Sequence, residues 1–131
     1  MLITSRYAAI LALVFVVLSI RTIRVRRRQK VAIGDAGDAT MLRAIRVHAN
    51  FAEYVPFSLV LLYLVEVASA RPAIVHALGL CLLVGRVSHA FGVCQSTEQF
   101  GYRVTGMALT FTTILACSGI LLYLYIANRA T

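Results

Sequence analysis

Arg46, Asn50 and Glu53 recur at i, i+4 and i+7, with Tyr54 one residue on, and that spacing places all four on one face of a helix. Arg86 and His89, at i and i+3, form a second polar face in an otherwise apolar stretch. Arg24 and Arg103 add guanidinium groups at the ends of apolar runs. A guanidinium stays charged and meets a carboxylate through parallel N–H donors, so a surplus of arginines around one wet pocket suits an anionic ligand with several carboxylates. The simpler reading is a buried ion pair between Glu53 and Arg86 that holds a bundle together. One carboxylate does not account for Arg24, Arg46, Asn50 and Arg103 as well.

The elements that must position these groups are membrane spans. Of 131 residues, 60% are hydrophobic and 14% charged, with a mean hydropathy of +0.84. Soluble domains carry roughly 25% charged residues and could not hide so much apolar surface. A span needs about 20 mostly apolar residues, so four spans nearly use up the chain. The expectation is one all-α domain over residues 1–131, an integral membrane four-helix bundle with helices at about 5–28, 41–70, 73–93 and 102–128. The first apolar run, from Tyr7, precedes its basic cluster and is followed by no small-residue cleavage pattern, so it reads as a retained span and not a signal peptide. Asp38 or Thr40 can cap the second helix, and Pro72 suits the first turn of the third. The Gly34-Asp35-Ala36-Gly37 loop lacks the lysine of a phosphate-binding loop. Cys81, Cys94 and Cys117 are odd in number and lack metal-type spacing, which implies neither a disulfide framework nor a zinc site.

Charge sets the expected orientation. The link between helices one and two carries Arg24, Arg26, Arg27, Arg28, Lys30, Arg43 and Arg46, whereas the next link carries Arg71 alone. The positive-inside rule then puts the first link in the cytoplasm and both termini outside. The start of helix two, the end of helix three and the start of helix four share that cytoplasmic side, with Glu53 and Arg86 about two turns or less from it. The same clustering explains the net charge of +8 by orientation in a bilayer and argues against nucleic acid. Ionisable groups inside spans mark functional sites. Glu66, near the outer end of helix two, reads instead as solvated or paired with Arg71, and His76 as an interfacial histidine. Gly79, Gly85 and Ser88 suit close helix contact.

The string Arg46-Val47-His48-Ala49-Asn50-Phe51-Ala52-Glu53-Tyr54-Val55-Pro56 resembles the signature of the membrane-associated proteins in eicosanoid and glutathione metabolism, the MAPEG family. The likeness extends over nearly the whole chain: a basic end to helix one, the Ile33-Gly34-Asp35 loop of small bacterial-type members, Gly85-Arg86-Val87-Ser88-His89, and Tyr102-Arg103 before helix four. The resemblance implies a homotrimer with glutathione at each subunit interface, opening toward the cytoplasm. It implies that Arg46, Asn50, Glu53 and Tyr54 contact glutathione, with Arg86 and His89 at polar positions on helix three. Glu53 would receive the ligand's ammonium and the arginines its carboxylates. Arg103 matches the family's catalytic arginine, and Arg24 matches a basic position at the end of helix one, where membrane-surface anchoring is the competing role. A guanidinium beside the thiol lowers its pKa by favouring the thiolate.

The expected function is a membrane-bound glutathione transferase or peroxidase that joins the thiolate to a small hydrophobic electrophile arriving from the lipid bilayer, in the inner membrane if the source is bacterial. The alternative is a non-catalytic scaffold or accessory subunit, suggested by Val93 one turn beyond His89, where the eicosanoid enzymes carry a tyrosine. A small multidrug transporter would need an acid in helix one, which carries none.

Overall fold

A computed structural model describes residues 2–68, 70–95 and 99–129. Four helices follow one another: α1 (Ile3–Gln29), α2 (Ala39–Val67), α3 (Pro72–Cys94) and α4 (Phe100–Arg129). All four are long and apolar enough to cross a membrane. The 27 residues of α1 reach about 40 Å at roughly 1.5 Å per residue, enough for a hydrocarbon core of about 30 Å with a turn to spare at each end.

The helix ends follow from local chemistry. Asp38 has extended backbone and its Oδ1 accepts from the Met41 N–H at 2.7 Å, capping α2. Pro72 opens α3, where an N–H would have no intrahelical partner. Lys30 ends α1 in the left-handed conformation, and Gly34 and Gly37, at φ 72° and 74°, turn the loop where a side chain would be strained. Arg26 closes that loop by donating through Nη1 to the carbonyls of Val31, Ala32 and Gly34. Glu66 does not sit free or pair with Arg71. Its carboxylate accepts from the Ile3 and Thr4 N–H groups and so caps α1, an acid placed where the helix dipole favours one.

Helices α2 and α3 form the centre of the bundle. Helix α1 packs on both from one flank and α4 on both from the other, and α1 and α4 do not touch among the described residues. Apolar side chains turn both ways, as a bilayer solvent allows. Leu11, Phe51, Val55 and Leu82 fill one core cluster and Leu62, Val65, Val75 and Cys117 another, while Leu13, Val17, Leu115 and Leu122 are each at least 63% exposed and face lipid.

The tightest seam is α3 on α4. A Cβ at Gly85 would stand 3.0 Å from the Gly106 carbonyl, and one at Gly92 2.9 Å from the Arg103 nitrogen. Ser88 Oγ donates to the Tyr102 carbonyl at 3.0 Å across the same seam. Small residues bring these backbones together because dispersion and hydrogen bonding, not water exclusion, hold helices side by side in lipid. The closeness delivers Arg103 to the neighbourhood of His89 and Val93.

Candidate functional site

Three helices build one polar cleft at the end of the bundle that carries the α1–α2 loop. Leu42, Arg43, Arg46 and Asn50 come from α2, His89 and Val93 from α3, and Arg103 from α4, around a cavity of about 230 Å³. Among the described residues, no carboxylate lines it. Three guanidinium groups with an amide and an imidazole make a lining rich in hydrogen-bond donors and positive charge, and that lining suits an anion.

Arg86 lies directly behind the cleft and is fully buried. Its Nη2 donates to Asn50 Oδ1 at 2.6 Å and approaches His89 Nδ1 at 3.5 Å, while Nη1 reaches Thr110 Oγ1 at 3.5 Å and Met107 Sδ at 3.8 Å. The Phe51 and Tyr54 rings flank the guanidinium carbon at 5.7 and 5.8 Å, within cation–π range. Among the described residues, the Nε has no hydrogen-bond partner. Every neighbour of this buried charge among the described residues is neutral, so its positive charge is spread over dipoles and ring faces. The Glu53–Arg86 ion pair is therefore not formed: Glu53 is exposed on α2, and Asn50 takes the place a carboxylate would have had.

The structure thus gathers Arg46, Asn50, His89 and Arg103 into one cleft with Arg86 supporting two of them. Tyr54 is half-buried, its ring against Arg86 and, at 5.7 Å, against Phe111 of α4. Arg24 belongs to another surface, on α1 beside Val17, Ile20, Arg21 and Val25. Arg43 completes the cleft and escaped the sequence reading, which counted it only as topogenic charge. Its spacing of three from Arg46 and seven from Asn50 was the signal. Val93, 6% exposed, gives the cleft an apolar floor.

A second, apolar cleft lies between α1 and α2, lined by Ala8, Leu11, Ala12, Phe15, Phe51, Ala52, Val55, Pro56 and Leu59. Phe51 joins the two regions, with one face on this cleft and Arg86 over its ring.

The model of the MAPEG family matches residues 4–123, a span that takes in the cleft and parts of all four helices. The chain belongs to the MAPEG family. Among its relatives is the inner membrane protein YecN of Escherichia coli strain K12, 34% identical over 114 residues that cover 87% of this chain and 86% of that protein. YecN of Escherichia coli O6:H1 matches to the same extent. For this MAPEG chain, family membership and the four spans together identify an integral membrane protein.

Proposed function

We propose that the chain is a membrane-bound glutathione transferase or peroxidase, with the donor-rich cleft of α2, α3 and α4 as its glutathione site. The observation that supports this reading is the convergence of Arg43, Arg46, Asn50, His89 and Arg103 on one cavity that, among the described residues, no carboxylate lines. Glutathione carries two carboxylates, an ammonium and a thiol. In this reading Arg43 and Arg46 take carboxylates, and Arg103 stands by the sulfur and favours its thiolate. The thiolate attacks an electrophilic carbon, the C–S bond forms, and the leaving group departs with its electron pair. In the peroxidase variant two glutathione molecules reduce an organic hydroperoxide to alcohol and water and leave as the disulfide. The bilayer supplies the apolar partner, and holding both reactants together accounts for much of the rate.

The reading includes a homotrimer in the inner membrane with the cleft toward the cytoplasm and both termini outside. A carboxylate facing lipid is costly, and Glu53 is exposed along a span of the single chain. A neighbouring copy covering α2 would remove that cost and let Glu53 receive the ligand's ammonium at the subunit seam. Because α1 and α4 occupy opposite flanks, the Arg24 of one copy would serve the cleft of the next.

Reduced glutathione titrated into detergent-purified protein, with thiolate absorbance followed at neutral pH, tests the proposal. A thiolate signal in the wild type that Arg103→Ala loses is the expected result. Absence of binding at millimolar glutathione refutes it. Val93 in the cleft favours a second reading, a scaffold that binds the ligand without turning it over. Binding that persists, with no thiol-dependent turnover of several apolar electrophiles, would select that reading.

A further inference from the structure

The Arg86 guanidinium has only donors, so each group it meets through an N–H must present a lone pair to it. At 2.6 Å, Asn50 therefore turns its carbonyl oxygen inward and its amide N–H groups are left for the cleft side. His89 directs Nδ1 at the same Nη2, which places the ring proton of the neutral imidazole on Nε2. Thr110 fits the same logic. Its hydroxyl proton goes to the Gly106 carbonyl at 2.9 Å, leaving oxygen lone pairs for Arg86 Nη1.

We propose that Arg86 is a positioning residue that converts two ambivalent side chains, Asn50 and His89, into hydrogen-bond donors at the cleft and leaves an uncancelled positive charge behind them. Selection for anionic groups is thus set from the second layer as well as by the arginines on the surface of the cavity. A carboxylate at position 50 would cancel the Arg86 charge and remove the donor, and the cleft would lose its preference for an anion. Asparagine is the side chain of that size that satisfies Arg86 without neutralising it. The inference rests on the glutathione reading only for the identity of the anion; the proton positions follow from the geometry of Arg86.

The test uses full-length protein labelled with nitrogen-15 at its three histidines, with the His89 signal assigned by its loss in His89→Gln. The wild type is expected to show a neutral His89 protonated at Nε2. Arg86→Met should release that tautomer into a mixture and weaken glutathione binding roughly tenfold or more, the scale of a lost charge-assisted hydrogen bond. Arg86→Lys should recover the tautomer. A wild-type His89 protonated at Nδ1, or an unchanged tautomer in Arg86→Met, overturns the proposal. If Arg86→Met does not fold, Asn50→Asp decides. It should melt at or above the wild-type temperature, having gained an ion pair, while losing glutathione affinity. A lower melting temperature would overturn the proposal. A wild type that fails to bind glutathione refutes the functional reading alone, since the histidine spectrum still decides the role of Arg86.

Discussion

Two glycines on α4 should respond in opposite directions to the same substitution. Alanine is favoured over glycine inside a helix by about 1 kcal/mol, through backbone entropy. At Gly119 an added Cβ would meet nothing within 4 Å, so Gly119→Ala should stabilise the chain by about 0.5–1 kcal/mol. At Gly106 the added carbon would lie 2.5 Å from the Gly85 carbonyl oxygen, 2.6 Å from the His89 nitrogen and 2.7 Å from its Cβ. Two of those atoms are backbone, so no flexible side chain can swing aside. Carbon contacts settle near 3.5–4.0 Å, which requires α3 and α4 to part by about 1 Å. Overpacking of this kind costs about 1–3 kcal/mol and exceeds the propensity gain. The displacement also carries Arg103 away from His89, so ligand affinity should fall with stability. Cys117, fully buried on α4, offers a direct assay once the half-buried Cys81 and Cys94 are replaced by serine: its reaction with a thiol dye during heating then reports opening of the bundle. Gly106→Ala should label at a lower temperature than the wild type and Gly119→Ala at a higher one. A Gly106→Ala protein as stable as the wild type would refute the close α3–α4 seam. A destabilised Gly119→Ala protein would mean that a neighbouring copy covers that position.

Asp38→Ala removes the acceptor for the Met41 N–H and should lower stability by about 1 kcal/mol, read as a lower melting temperature. Glu66→Ala leaves the first N–H groups of α1 without their carboxylate, and hydrogen exchange at Ile3 and Thr4 should quicken several-fold while the α3–α4 seam stays protected. Arg43→Ala should weaken glutathione binding about tenfold without a change in melting temperature, since a half-buried guanidinium lining the cleft acts on the ligand and not on the core. An unchanged dissociation constant would remove Arg43 from the site.

The architecture was largely legible in the sequence because each cue was local. Apolar runs of span length, Asp38 before α2 and Pro72 at the start of α3 each act within a turn of themselves, and the helices begin and end within about three residues of the expected places. Partners of long side chains were harder to read. Glu66 lies 63 positions from the Ile3 N–H that it caps, and no periodicity links an acid late in α2 to the free donors at the start of α1. The nearest cation in sequence, Arg71, was a reasonable partner for a carboxylate, but a helix N-terminus offers several aligned N–H groups at once.

Glu53 shows where a helical face ceases to be a sufficient description. Arg46 and Glu53 are seven residues apart and project within about 20° of each other, yet the same spacing sets them about 10 Å apart along the axis. The arginine near the end of α2 reaches the cavity, and the shorter acid two turns deeper stays outside it. Asn50, between them, is rotated enough to meet Arg86. One face by angle is thus divided by depth and side-chain length into a cleft residue, a contact to α3 and an exposed acid. What decides the division is where α3 and α4 cross, and that depends on Gly85, Gly92 and Gly106 permitting backbone contact. Three missing side chains between two other helices therefore determine which polar groups of α2 share a site, and a reading of α2 by itself has no access to them.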